Sequence, residues 1–196
     1  MFVQGSDIER EALQIVAKLM CLAARTAPKA GGVDSLVTAV ISGDDRKRLV
    51  SEMRRLGEER NLKFYAINAD MVDASELVVL LGTKLKRYMI PTCGLCGFKD
   101  CKENLKAGGQ CVFPIGDLGI AIGSAVSVAG RHHADNRLMF SVGRAVLNLN
   151  LLGDEVKIVF GIPLSSKGKN PCFDREWRKV WELEVEGLGI GNMGVK

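Results

Sequence analysis

Leu77-Val-Val-Leu-Leu81 is a run of five apolar residues with no polar position between them. A half-exposed strand would alternate, so a short continuous run of this kind reads as a strand buried on both faces. Working outward, Leu36-Val-Thr-Ala-Val-Ile41 is short and rich in β-branched residues and reads as a second buried strand. Val156-Lys-Ile-Val-Phe160 reads as a third, ended by Gly161-Ile-Pro163, and Phe64-Tyr-Ala-Ile67 as a further short one. Helical patterns lie between them. An order of helix, strand, helix, strand calls for α/β or α+β layering.

The helical segments follow from periodicity and end signals. Ser6-x-x-Glu9 has the pattern of a capping box. It opens a helix with apolar positions Ile8, Leu13, Ile15, Val16, Leu19, Met20, Leu22 and Ala23, closed by Pro28 and Gly31-Gly32. Gly43-Asp44-Asp45 starts a charged helix to about Asn61, with Leu49, Val50, Met53 and Leu56 inward and Arg46, Lys47, Arg48, Arg54 and Arg55 solvated. Residues 70–76 read as a helical turn. Asp117 to Gly130 reads as a buried helix of small residues (Gly119, Ala121, Gly123, Ser124, Ala125, Ser127, Ala129) suited to close packing. His132 and His133 follow at its end, where a cationic imidazole is favoured. Asp135 to about Asn150 reads as an amphipathic helix, with Leu138, Met139, Val142, Val146 and Leu149 as its stripe. In the tail, Trp177 and Trp181 would share one face of a short helix, and Gly187 to Gly194 reads as an extended end.

Composition bounds the function. A chain of 196 residues, 47% apolar and 26% charged, is an ordinary globular domain, so residues 1–196 are expected to form a single domain. The net charge of +4 comes without a basic run interleaved with aromatics, so nucleic acid is not expected as a partner. The N-terminal residues lack a basic segment followed by an apolar core, and Leu118 to Ala129 is shorter than the ~18–20 residues that span a bilayer. A cytoplasmic protein without a membrane partner is expected. No G-x-S-x-G elbow, P-loop, H-E-x-x-H or strand-linked Rossmann fingerprint is present.

The chemistry is concentrated elsewhere. Four of the six cysteines, Cys93, Cys96, Cys101 and Cys111, fall in one segment from Pro91 to Pro114 with the spacing C-x2-C-x4-C-x9-C. Such a cluster in a reducing compartment points to metal ligation rather than disulfides. A four-cysteine zinc site is usually two separated C-x2-C knuckles, and only one is present. Three thiolates in quick succession and a fourth further on suit a [4Fe–4S] cubane, which takes one thiolate per iron, with zinc as the alternative. Gly94 and Gly97 let the loop turn tightly. Lys102 to Ala107 reads as a short helix, ended by Gly108-Gly109, that would bring Cys111 back to the others. Cys21 and Cys172 read as buried core residues. Lys84, Lys86, Arg87, Lys99, Lys102 and Lys106 would form a basic rim able to attract an acidic electron-carrier protein.

Two resemblances follow. Cys93-Gly-x-Cys96-Gly-x-x-x-Cys101 with a helical spacer and a fourth Cys resembles the [4Fe–4S] loop of ferredoxin-like domains in corrinoid and carbon-monoxide-metabolising proteins of anaerobes. Leu22-Ala-Ala-Arg-Thr-Ala-Pro28-Lys-Ala-Gly31-Gly32 resembles the AAR-x-APSAGN-x-QPW segment of FMN-dependent nitroreductases. Asp117-Leu-Gly-x-Ala-Ile-Gly-Ser-Ala resembles their central dimer helix, and Val156 to Pro163 their terminal strand–G-Y-P segment. Together these resemble the uncharacterised family of ferredoxin-domain-containing proteins, in which an Fe–S loop is inserted into a nitroreductase-like fold. The resemblance implies an α+β layered sheet with flanking helices, residues 91–114 as an inserted four-cysteine metal loop, and an intertwined homodimer. It also implies FMN held by Arg25, Lys29, Gly31, Gly32, Lys167 and Lys169.

Two functions are consistent with these features. The first is an iron–sulfur redox protein, passing electrons to or from a flavin or a partner protein, with an FMN/Fe–S oxidoreductase as its enzymatic form. The second is a non-enzymatic dimer without flavin, whose four-cysteine site is structural or senses oxygen and iron. It is motivated by Gly32, Asp34 and Leu36 standing where the nitroreductase pattern has Asn, Gln and Trp, with only Arg10 and Arg25 near the N-terminus to meet a phosphate.

Overall fold

The computed structural model describes residues 3–172; the expectations for Trp177, Trp181 and Gly187 to Gly194 lie outside them. The elements in chain order are α1 (Gly5–Thr26), a 3-10 turn (Ala30–Gly32), β1 (Leu36–Ser42), α2 (Gly43–Arg60), α3 (Lys63–Asp73) and β2 (Leu77–Lys84). They continue with α4 (Cys101–Lys106), α5 (Val112–Arg131), β3 (Asp135–Asn136), α6 (Phe140–Asn148) and β4 (Val156–Ser165). The strands form one antiparallel sheet in the order β1-β2-β4-β3. This is the expected α+β sheet with flanking helices.

β2 is the inner strand that its apolar run requires. Leu77, Val79 and Leu81 face a core completed by Leu13, Val16 and Met20 of α1 and by Leu118, Ala121 and Ala125 of α5. Val78 and Leu80 face the opposite core, built from Leu49, Met53 and Leu56 of α2, Ala69 and Val72 of α3, and Val142 and Val146 of α6. The period-two alternation of side chains divides one continuous run between two helical layers. Cys172 is 5% exposed within the second core, as expected, whereas Cys21 is half-buried against the first rather than inside it.

Several local expectations are corrected. The Ser6–Glu9 capping box does not form: α1 starts at Gly5 with Gln4 as N-cap and no side-chain capping bond. Only part of its apolar pattern is inward, since Ile8, Ile15, Leu19 and Leu22 are exposed. β1 is an edge strand, largely half-buried rather than buried, because only β2 pairs with it. Phe64 to Ile67 and residues 70–76 belong largely to a single helix, α3, in which Tyr65, Ala69, Met71 and Val72 are buried at helical spacing. The predicted helix from Asp135 is a short strand, β3, followed by α6. Gly161 and Pro163 do not end β4 but lie within it, opposite Leu80 and Val78 of β2. Arg46 is not solvated: its guanidinium donates to the carbonyls of Val72 (2.9 Å), Asp73 and Ser75 (2.6 Å), satisfying the free C-terminus of α3.

α5 begins five residues before its expected start, directly after Cys111, and is long and apolar enough, by length and composition alone, to cross a membrane. Its Leu118, Ala121, Ile122, Ala125 and Ala129 pack into the first core, with the small residues letting α1 approach, while Gly119, Ile120 and Gly123 face outward.

Candidate metal centre

The loop between β2 and α5 carries the four cysteines. It leaves the sheet at Lys84 and turns through Met89, Thr92, Gly94 and Gly97, all at positive φ. Gly97 donates its N–H to Gly94 O at 3.0 Å, closing the turn that separates Cys93 from Cys96. The Asp100 carboxylate then caps α4, accepting from the N–H groups of Lys102 (2.9 Å) and Glu103 (2.8 Å). These bonds, first the one from Glu103, hold its carboxyl below the usual carboxylate range against slight desolvation. Glu103 reaches back to the N–H of Lys99 at 2.6 Å. Cys101 is the first residue of α4 and Cys111 the N-cap of α5. The predicted helical spacer is therefore real, and it ends as expected at Gly108, which sits at φ 67.

All four thiols line one cleft of about 370 Å³, open mouth included, walled by Arg87, Tyr88, Ile90 and Phe113. Each is half-buried and none is in a disulfide. Cys21 and Cys172 do not line this cleft.

Two residues that carry no marked signal in the sequence organise it. Asn104 is 2% exposed. Its side-chain oxygen accepts from Arg87 Nε (2.9 Å), and its amide nitrogen donates to Gln110 O (3.0 Å) and to Cys96 Sγ (3.4 Å). Arg87 also donates to Gly109 O at 2.7 Å, and Gly109 donates to Asn104 O at 2.8 Å. A Cβ at Gly109 would lie 2.6 Å from the Phe98 ring and 2.7 Å from Asn104 Nδ2, so a larger residue there would push these two side chains aside. The second organiser is Tyr88. Its ring stacks on Phe113 at 6.0 Å, and its hydroxyl lies 2.9 Å from Asp117 Oδ2 and 3.1 Å from Val33 O. Burial and the neighbouring Asp117 hold its phenol above the usual tyrosine range, with Ser35 opposing. Asp117 Oδ1 in turn accepts the N–H of Ala30. The only sequence signal for Asn104 is its spacing of three from Cys101, which puts an amide on the same helix face.

The residues expected to hold FMN are not gathered within one chain. Arg25 donates to Asp34 (2.6 Å) and to Leu36 O (2.8 Å). Lys29 folds back on the C-terminus of α1, donating to the carbonyls of Arg25 (2.5 Å) and Ala27 (2.9 Å). Gly31 and Gly32 form the 3-10 turn, at φ 60 and φ 66. These four lie near the end of the sheet where Leu36, Thr83 and Ile158 align. Lys167 and Lys169 follow Ser165 at the opposite end, with roughly 23 Å of strand between Ile158 and Ser165. Of the basic rim, Arg87 is turned into the loop and Lys84 pairs with Glu155, while Lys86, Lys99, Lys102 and Lys106 are exposed.

Four cysteine thiols on one cleft are a donor set that suits a [4Fe–4S] cubane, one thiolate to each iron, or a four-cysteine zinc site. Cys111 stands at the N-terminus of a 20-residue helix with no capping side chain and no acidic residue in its first turn. From Lys84 to Phe113, Asn104 is the single buried residue, with Met89, Leu95 and Leu105 exposed. A loop without an apolar core is one whose order a bound centre would supply.

The profile of the family described as "Uncharacterized protein containing a ferredoxin domain (DUF2148)" matches residues 107–175, a span that includes Cys111 and starts after Cys101. An uncharacterized protein of Archaeoglobus fulgidus is 34% identical over 187 residues, covering 91% of this chain and all of that one. Among solved structures, the hypothetical oxidoreductase YcnD from Bacillus subtilis superposes with a TM-score of 0.54 at 18% identity, covering 80% of this chain. The chain spans only 59% of the length of YcnD. A protein of Desulfovibrio desulfuricans assigned as a nitroreductase, solved in complex with FMN, superposes with a TM-score of 0.55 at 14% identity, covering 82% of this chain and 78% of that one. At these identities the likeness is one of fold, and the layered sheet is nitroreductase-like.

Proposed function

Because the chain belongs to the family of uncharacterized proteins containing a ferredoxin domain, we propose that it is an iron–sulfur redox protein built on a nitroreductase-like scaffold. Cys93, Cys96, Cys101 and Cys111 would hold a [4Fe–4S] cluster. The observation that carries this reading is the single cleft lined by all four thiols in a loop with almost no buried residues. A bound cluster moves electrons singly, and a flavin stores two and transfers hydride.

This chain's residues hold the cleft beside the candidate flavin loop. Tyr88 forms the cleft wall, and its hydroxyl meets Asp117 and Val33. Asp117 takes the N–H of Ala30, so the 3-10 turn at Gly31 and Gly32 is tied to the same support. FMN at that turn would be within one residue network of the cleft. Its phosphate would need cations from elsewhere, because Arg25 and Lys29 are engaged by their own chain. Lys167 and Lys169, at the other end of the sheet, would reach the turn from a second copy. The exposed Ile15, Leu19 and Leu22 on α1 are consistent with such a homodimer. Lys99, Lys102 and Lys106 leave a cationic approach for an acidic electron carrier, in a cytoplasmic setting.

Anaerobic purification tests the reading. Iron and sulfide near four per chain, with visible absorption bleached by dithionite, are expected; a colourless protein with stoichiometric zinc overturns it. Flavin released by heating, together with NAD(P)H oxidation, separates an FMN/Fe–S oxidoreductase from an electron-transfer protein without flavin.

A further inference from the structure

We propose that Asn104 sets the reduction potential of the centre through its bond to Cys96, rather than merely holding the loop together. This rests on the cluster reading above. The amide is nine-tenths or more buried, with all of its polar capacity directed inward. Its oxygen is occupied by Arg87 Nε at 2.9 Å and one N–H by Gln110 O at 3.0 Å. That fixes the rotamer and the amide orientation, because a flipped amide would face Arg87 with a donor and Gln110 O with an acceptor. The remaining N–H has one partner, Cys96 Sγ at 3.4 Å, within the range of an N–H···S bond. The orientation of this donor is therefore decided by the two bonds that do not touch sulfur.

The physical consequence follows from where negative charge accumulates. One-electron reduction adds charge that is shared with the cysteine sulfurs, and an N–H dipole aimed at one of them stabilises the reduced form more than the oxidised form. Hydrogen bonds to the sulfurs are among the determinants of cluster potential. Burial strengthens the effect, because the amide is shielded from water that would otherwise compete. Asn104 also links the carriers of three ligands: Cys96 through this bond, Cys101 by sharing α4, and Cys111 through Gln110, the residue before it. A positioning residue of this kind acts through the thiolate that it orients.

The test separates tuning from positioning. Asn104→Leu removes the donor at similar side-chain volume. In anaerobically prepared protein matched for iron content, its midpoint potential is expected to fall by about a tenfold change in the oxidised-to-reduced ratio, ~59 mV for a one-electron couple. Gly108→Ala strains the turn that ends α4, at φ 67, without altering a charge or any partner of Asn104; it is expected to lower cluster retention and thermal stability with an unchanged potential. Equal shifts in both variants, or none in Asn104→Leu, overturn the proposal. Should Asn104→Leu fail to fold, the wild-type protein labelled with 15N-asparagine and reduced with dithionite serves instead. A 15N hyperfine coupling is expected, since no other asparagine among the described residues lines the cleft, and its absence overturns the proposal. Wild-type protein that carries no iron overturns the cluster reading, and this inference with it.

Discussion

The hydroxyl of Tyr88 lies 2.9 Å from Asp117 Oδ2, joining the wall of the cysteine cleft to the second turn of α5. Asp117 is 7% exposed, and its other oxygen holds the N–H of Ala30. Tyr88→Phe removes the donor and leaves a buried carboxylate with a single partner. A hydrogen bond to a charged group contributes about 1.5–3 kcal/mol, so a loss of that size is expected in urea unfolding. Iron loading is expected to stay within twofold of wild type, since no thiolate is altered; a larger drop would mean that Tyr88 itself orders the ligand loop.

Cys96→Ser is expected to abolish the visible absorption of anaerobically prepared protein. Cys172→Ser, which alters a side chain in the second core well away from the cleft, is expected to keep it. A small loss of stability is expected, because the residue is 5% exposed in a packed core. Iron analysis beside a urea titration reads both. Equal loss of colour in the two variants would mean that thiol loss acts through folding alone.

Removing the metal is expected to unfold the loop and not the sheet. Both cores are built without any residue of the 85–111 segment. Chelation under oxidising conditions should leave far-UV circular dichroism within about a tenth of its starting value, while amide protection across 85–111 is lost in hydrogen exchange. Loss of protection in β2 as well would show that the centre supports the whole fold.

Gly143 of α6 rests directly on β4. A Cβ there would stand 1.7 Å from Val159 O and 2.4 Å from Val159 C, both backbone atoms that cannot move aside alone. Gly143→Ala should cost about 3 kcal/mol or more, because α6 must lift off the sheet. Gly123→Ala, at an exposed position with open space around it, should be neutral or slightly stabilising. Thermal unfolding of the two variants tests this contrast.

Asp34 gives the pH dependence a sign. Partial burial pushes its carboxyl upward, but the bond from Arg25 and the N–H of Leu36 outweigh this and hold it below the usual value. A depressed carboxyl contributes stability that is present above its unfolded value of about 3.9 and lost as pH falls through the folded one. Asp34→Asn should therefore lower the urea midpoint at pH 6 and progressively less as the pH falls below about 3.9. The pair is about two-fifths exposed, so the difference is expected to be ~0.2–1 kcal/mol.

The central strand and the four-cysteine cluster are legible from the residues alone. Leu77 to Leu81 has no polar residue to place in water, so it requires cover on both faces wherever the helices lie. Cys93, Cys96, Cys101 and Cys111 stand out because four cysteines at such close spacing are rare. Folding settles what local pattern leaves open. Phe64 to Ile67 is a helix because Tyr65, Ala69 and Val72 find a core at helical spacing, which outweighs the β propensity of an aromatic pair. Gly161 and Pro163 stay inside β4 because the neighbouring strand supplies pairing partners that no local signal announces. Arg25, Lys29, Lys167 and Lys169 look alike as isolated cations; only the sheet register places the first two at one end and the last two at the other. Asn104 and Tyr88 became visible only once the chain had folded, because a hydrogen-bonding role is set by what lies opposite a side chain and not by its neighbours in sequence.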